Sequence, residues 1–424
     1  MKKPLRKYMA GRAIGLWMAG SIVVLAACGG GGSDVGDSSG TAPHGSAGLA
    51  ATFAHPGLLH TQQDLNRMQT QVNNNAQPWT AGWQRLTANA HASLDWTPQP
   101  QAIVYRGADG THPENYASLF RDTAAAYALA LRWKVSGDDA YAEKAVAVLD
   151  AWSLTLTAIG GTSDKFLASG IYGYQFANAA EIMRGYSKWS TDRQQRFQTM
   201  MLQVFYPMNH DFLVNHNNAK IDHYWANWDL SNMASMLAIG VLTDRRDIYQ
   251  EAIDYFKHGA GNGAIDKLVW IRYPDSIGHP DALGQIQESG RDQGHSMLDL
   301  ALVGALCQMA WNQGDDLFGY DSNRLLSGVE YVAQYNLGGD VPYTTYTNGD
   351  VTQTVISPDS RGDSRPIWEL LYNHYVVQQG LVAPNLTAYA ALVRPEGGGD
   401  YGPNSGGYDQ FQPLGGSASH LRRR

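Results

Sequence analysis

Cysteine is nearly absent from this chain: Cys28 and Cys307 are the two among 424 residues, too few for a disulfide scaffold or a cysteine-rich metal site. Charge is also sparse, at 17% of residues, and past the N-terminus there is no extended basic run to neutralise nucleic-acid phosphates. No dinucleotide or phosphate-loop glycine motif occurs, and the GRDQGH stretch contains no G-x-S-x-G elbow, so serine hydrolase chemistry is unsupported. His210, His216 and His223 lie close in sequence, but none follows the HExxH spacing of a helical zinc site, so no metal and no cofactor is expected. Alternating β-branched runs are scarce and no βαβ pattern appears, which argues against a strand-based fold.

What is present is helix. The chain is 44% hydrophobic with a mean hydropathy of −0.33, rich in alanine and leucine, and carries 12 Trp and 23 Tyr, a mixture suited to a large core and an aromatic cleft. Helical periodicity recurs over Asn115 to Val135, Asp139 to Thr157, Ile171 to Tyr186, Thr191 to Met208, Asp222 to Leu242, Arg246 to Gly259, Ser289 to Gln313 and Asn323 to Gln334. Short connections such as Ser136-Gly137-Asp138 join neighbours. Repeated antiparallel helix hairpins of this kind predict an all-α fold, an (α/α) toroid or incomplete α/α barrel. The longer irregular stretches, Tyr105 to Pro113, Ala264 to Glu288 and Leu337 to Asp363, are candidate walls of a cleft.

The N-terminus reads as an export signal. Lys2, Lys3, Arg6, Lys7 and Arg12 precede an apolar run, and Leu25-Ala26-Ala27-Cys28 resembles the bacterial lipoprotein processing box. The expected organisation is a signal peptide at 1–27, lipidation at Cys28, a flexible Gly/Ser linker through 51, an α/α-toroid domain at 52–395 and a Gly-rich tail at 396–424. Such a protein is periplasmic or attached to the outer membrane of a bacterium, touching the membrane through its lipid only. Removing 1–27 deletes five basic and no acidic residues, taking the formal net charge from −8 to −13. An anionic substrate then requires the cationic groups to be gathered in the cleft. Neither nucleic acid nor an obligate protein partner is indicated.

Polar residues interrupt the apolar helices in four places. In NHDFLVNHNNAKIDHYWANW, a helical reading puts His223, Asn227 and Ser231 on one face, with Tyr224 and Trp228 beside them. In QIQESGRDQGHSMLDL, Glu288, Arg291 and His295 fall at helical spacing, either as a structural ion pair or as a catalytic wall. Asn178 sits between small apolar residues in GIYGYQFANAAEIMRGY, bridging helices or facing a ligand. Arg361, Arg365 and His374 in the last cluster offer positive charge missing elsewhere.

These stretches, above all HYWANWDLSNMASMLAIGVLTDRRDIYQEAIDYF, ESGRDQGHSMLDLALVGALCQMAWNQGDDLFGYDSNRLLSGVEYVAQYNLG and RPIWELLYNHY, resemble the alginate lyase superfamily, most closely its polysaccharide lyase family 38 branch. The resemblance spans roughly residues 115 to 395. It implies an α/α toroid whose cleft holds a uronic acid chain, and elimination without a nucleotide or redox cofactor. In the related family 5 enzymes an Asn and a His near a YWxxW segment act with an Arg and a Tyr of a later helix. Tyr224 to Trp228 matches the first region, with His223 offset by one; Arg291 and His295 match the second, but Gly294 stands where that Tyr is expected.

Elimination requires a base for the C5 proton, an acid for the leaving oxygen at C4, and donors that offset the uronate charge. His223 and His295 are the candidate bases, a tyrosine whose pKa is lowered by surrounding cations serves either role, with Tyr224 the first candidate and Tyr343 the second, and Arg291, Asn178 and Asn227 are the donors. Asn227, Trp228, Glu288, Tyr343, Arg361, Arg365 and His374 are the candidate contacts to the anionic polysaccharide. Two other readings stand beside this one: hydrolysis by a carboxyl pair drawn from Asp229, Glu288 and Asp292, and non-catalytic glycan capture by a surface lipoprotein.

Overall fold

Small and apolar residues fill the central helices so completely that they are buried around most of their circumference. In the computed structural model, which describes residues 52–394 and 396 except 275–277, 280, 281, 364 and 366, α5 (Lys165–Met183) buries every residue from 168 to 183. Helix α8 (Ala226–Leu242) is buried throughout, α11 (Gln293–Trp311) nearly so, and α3 (Tyr116–Ser136) from 122 to 131. A helix apolar on all sides must be covered on all sides. The cover comes from α4 (Asp139–Thr155), α6 (Thr191–Met200) and α9 (Arg246–His258), which bury one stripe each; Ile248, Tyr249, Ala252, Ile253 and Phe256 form that of α9.

Consecutive inner and outer helices are joined by short turns, α3 to α4 and α8 to α9, and so pack as hairpins. The described residues thus form an all-α fold of the (α/α)-toroid type, with no closed sheet. The most intimate helix pair, α5 with α8, depends on small residues. A Cβ on Gly170 would lie 2.5 Å from Ser231 Oγ and 2.8 Å from the Ser231 carbonyl carbon, so any side chain there would force the helices apart. Polar groups in that interface are paired with one another: Asn209, on α7 (Tyr206–Asn215), donates to Ser169 Oγ at 3.1 Å and to Asn232 Oδ1 at 2.7 Å.

Three two-stranded sheets, not anticipated from the sequence, stiffen its long irregular stretches. Strand β1 (Ile103–Arg106) runs parallel to β2 (Ala158–Gly161); β3 (Val269–Tyr273) is antiparallel to β4 (Leu283–Ile286); β5 (Tyr346–Thr347) is antiparallel to β6 (Thr352–Gln353). Each is too short to show an alternating pattern, and β1 and β2 are separated by two helices.

Of the helix starts that differ from the periodicity, two lie at the site described below. Helix α8 begins at Ala226, not Asp222, because the Asp222 and Tyr224 carbonyls accept from Asn262 Nδ2 and the Asp222 carbonyl also accepts from Asn348 Nδ2. Helix α11 begins at Gln293, capped by Asp292, whose side chain accepts from the His295 N–H at 2.7 Å. The remaining helices of the described chain are α1 (Gln62–Asn73), α2 (Trp79–Ala88), α10 (Ile265–Leu268), α12 (Tyr320–Asn336), α13 (Trp368–Tyr372) and α14 (Pro384–Val393). None of the described helices is long and apolar enough to cross a membrane. The expected signal segment, Cys28, the linker, and the tail beyond 396 lie outside the described residues.

Candidate active site

The N-terminus of α8 presents backbone N–H groups with no partner in their own helix, and side chains from the turn before α11 supply the acceptors. Gln287 Oε1 accepts from the Ala226 N–H at 3.1 Å, and Glu288 Oε1 accepts from the Asn227 N–H at 3.1 Å and from Asn227 Nδ2 at 2.6 Å. The helix dipole favours a carboxylate at that place. The other oxygen, Glu288 Oε2, accepts from a terminal guanidinium nitrogen of Arg291 at 2.7 Å. Glu288 is wholly buried, whereas the Arg291 side chain is 27% exposed, and its guanidinium carbon stands 5.0 Å from the centre of the Trp225 ring. One buried carboxylate thus fixes the amide of Asn227 and leaves the outer edge of Arg291 facing solvent next to an indole.

The two candidate imidazoles are oriented in the same way by different aspartates. His295 Nδ1 donates to Asp292 Oδ2 at 2.6 Å, and His223 Nδ1 donates to Asp350 Oδ2 at 2.9 Å. Nε2 of each ring meets no partner among the described residues, and the side chains are 36% and 46% exposed. Burial alone would raise the Asp292 carboxyl, but its hydrogen bonds with His295 and the charges of His295 and Arg291 hold it below the usual range, so it stays ionised beside the ring. His223 is not on α8; it lies in the turn before that helix, so the expected shared face with Asn227 and Ser231 does not form.

The β5–β6 hairpin ties these parts together. Its turn carries Asp350, the Gly349 N–H donates to Asp222 Oδ2, and the Tyr346 hydroxyl accepts from Gln287 Nε2 at 2.7 Å. Tyr343, just before β5, donates its hydroxyl to the Gln353 carbonyl at 3.1 Å and lies against Gly290, the residue before Arg291. Burial, reinforced by Tyr273, pushes the Tyr343 phenol up to about 12. It therefore keeps its proton at neutral pH, which suits an acid and not a base. Tyr224, 8% exposed, accepts from Asn217 Nδ2 at 2.9 Å and packs edge-on against His223. Trp228 is packed against Phe212 and Tyr224, so the half-buried aromatic face beside Arg291 belongs to Trp225.

A Cβ on Gly290 would fall 2.3 Å from the Tyr343 hydroxyl and 2.7 Å from Gln353. Gly290→Ala is accordingly expected to displace Tyr343 and reduce turnover by on the order of tenfold or more, with a smaller effect on the thermal midpoint. Unchanged turnover would show that Tyr343 has no part in the reaction.

His223, Tyr224, Asn227, Trp228, Glu288, Arg291, His295 and Tyr343 therefore belong to one linked set of loops and helix starts. Four other expected residues are engaged elsewhere. Asn178 accepts from the Leu59 N–H at 2.8 Å and donates to the Tyr174 carbonyl, bridging α5 to the N-terminal segment. Arg361 donates to the Tyr335 and Gly339 carbonyls and stacks on the Tyr335 ring, bracing the end of α12. Arg365 is buried, and His374 is buried against Phe318, ring centres 3.8 Å apart. The three histidines that cluster in sequence go to three different acids: His210 to Glu251, His216 to Asp229, and His223 to Asp350. Trp225 and Asp350 are not among the residues that the sequence marks for the site, and Asp292 enters there only as a candidate hydrolytic carboxyl. The YWANW stretch contains the first and the helix-cap pattern the last, but nothing near Asp350 marks it.

The alginate lyase family model matches residues 63–341, about two thirds of the chain and this constellation from His223 through His295, but not Tyr343 or the β5–β6 hairpin. The chain belongs to the alginate lyase family. It is therefore an enzyme of the lyase class. Among solved structures it is similar to alginate lyase A1-III from Sphingomonas species A1, at 13% identity over 88% of this chain and 98% of that one, with a TM-score of 0.54. A histidine-to-alanine variant of alginate lyase A1-III complexed with tetrasaccharide aligns at 15% identity over 88% and 95%, TM-score 0.51. An alginate lyase from Bacteroides ovatus aligns at 14% identity over 64% and 80%, TM-score 0.49. At such identities the likeness to the two alginate lyase A1-III structures shows the fold alone. No curated protein matches the sequence.

Proposed function

We propose that this lyase cleaves a β-1,4-linked uronic acid polymer, glucuronan or mannuronate-rich alginate, by β-elimination, and that it lies in the polysaccharide lyase family 38 branch. The observation that carries the reading is an arginine seated on a buried carboxylate, one turn from an imidazole whose Nδ1 is held by an aspartate and whose Nε2 is open. Arg291 pairs with the uronate and offsets its charge, which a carbanion at the adjacent C5 requires. His295 Nε2 removes the C5 proton; it is the better placed of the two imidazoles because Asp292, which orients it, adjoins Arg291, with Arg291 Nε 3.9 Å from Asp292 Oδ2. The C5–H electron pair becomes the C4–C5 double bond, the C4–O bond breaks, and the Tyr343 phenol protonates the departing oxygen. His223 and Trp225 bind the neighbouring sugars. Asn227, 3% exposed with its Nδ2 on Glu288, positions that carboxylate.

Hydrolysis is less well supported. Asp229 is buried on His216 and the Gly263 N–H, and Glu288 on Asn227 and Arg291, so neither carboxyl is open to flank a glycosidic bond. The proposal extends to the termini: export directed by 1–27, a lipid on Cys28, a linker through 51, the lyase domain at 52–395 and a tail at 396–424.

The test is ultraviolet absorbance from unsaturated sugar ends, with the chain lacking residues 1–28, on glucuronan, polymannuronate, polyguluronate and hyaluronan. A rise on glucuronan or polymannuronate is expected. New reducing ends without absorbance would overturn elimination in favour of hydrolysis, and binding without any product would leave a capture protein.

A further inference from the structure

Behind Glu288 lies a second acid that the proposed reaction does not use. Asp299, on α11 one turn beyond His295, is wholly buried, and neither of its carboxyl oxygens meets an N–H or O–H donor among the described residues. A bare carboxylate in that position would be among the costliest groups to bury. The carboxyl it faces is that of Glu288, and the two can bond only if one carries a proton. Glu288 is committed as the anion, since it accepts two bonds from Asn227 and one from Arg291.

We propose that Asp299 is a protonated carboxylic acid at neutral pH that donates to Glu288, a positioning residue that holds the glutamate in register for Asn227 and Arg291. Burial, then the charge of Glu288 and a hydrogen bond with it, push the Asp299 carboxyl well above its ordinary value, with Arg291 opposing and Asp292 adding to the shift. The helices packed on α11 send their acids elsewhere: Asp229 of α8 is bound to His216 and the Gly263 N–H, and Glu330 of α12 to Asn385 and the Leu386 N–H. A neutral donor lets Glu288 keep its full negative charge for Arg291 without a second anion beside it. The contribution to turnover rests on the elimination reading above; the location of the proton does not.

Infrared difference spectra of wild type against Asp299→Asn at neutral pH separate the two. Wild type should show the C=O stretch of a protonated carboxyl that D299N lacks, and absence of that band would overturn the proposal. In the folded protein the proton is held above the pH at which an unfolded aspartate releases it. The linked stability is therefore full below the ordinary carboxylate value and declines as pH rises through the higher folded value. The thermal midpoint of D299N, which has no proton to lose, should fall less as pH rises than that of wild type. Because the asparagine N–H still donates to Glu288, D299N should retain most of the wild-type kcat. Asp299→Ala should lower kcat by on the order of 10- to 100-fold with little change in KM, and an equal loss in both variants would overturn the positioning role. Wild type with the band but no unsaturated product would leave Asp299 protonated and remove only the elimination reading.

Discussion

Replacing His295 by alanine is expected to lower kcat by on the order of 100- to 10,000-fold, the usual worth of a positioned general base, while leaving the fold intact. The fold survives because the cap of α11 uses the His295 backbone N–H, which alanine retains, and because the ring itself is 36% exposed. Asp292→Asn should reproduce part of the loss by removing the anion that holds Nδ1–H, as orientation of the tautomer depends on it. Both are read as initial rates of unsaturated-product formation, with circular dichroism as the folding control. Full turnover in His295→Ala would remove His295 as the base, and loss of turnover in His223→Ala alone would exchange the roles of the two imidazoles.

The second large effect is expected at Arg291. Arg291→Ala removes both the cation that offsets the uronate and the partner of a wholly buried Glu288, so activity and stability should fall together. Turnover is expected to drop by on the order of 100- to 1,000-fold, and breaking a buried pair costs on the order of 3 kcal/mol. Arg291→Lys separates the two losses. Lysine keeps a positive charge near Glu288 and so should recover most of the stability, measured by urea denaturation. It lacks the planar fork that spans Glu288 and a second carboxylate, so kcat/KM should remain far below wild type. A lysine variant with wild-type kcat/KM would show that Arg291 acts only on Glu288.

Much of the helical scaffold could be read from the sequence because burial on both sides leaves an unmistakable composition. Runs such as LSNMASMLAIGVL have no charged residue and must lie inside a layer of amphipathic neighbours, which is the α/α arrangement. The site was legible where polar residues broke such runs, as at Asn227, Glu288, Arg291 and His295. The same signal misled at Asn178 and His374, because an amide that bridges two helices and an imidazole stacked on Phe318 interrupt an apolar pattern just as a substrate ligand does. Helical spacing also placed His223 on a face it does not share, since α8 starts three residues after it.

The sequence by itself determined the helix count in outline, the absence of a cysteine scaffold, and the family. The first two depend on composition and local periodicity, the family on the likeness of long stretches to the alginate lyase pattern. Tertiary structure decided which acid serves which base. Asp350 reaches His223 from 127 residues away and Glu288 reaches Asn227 from 61, through a hairpin and a helix start that local pattern does not encode. It also decided that Asp299 faces Glu288. A proton shared between two carboxyls is a property of their separation and burial, and neither exists until α11 has packed on α8.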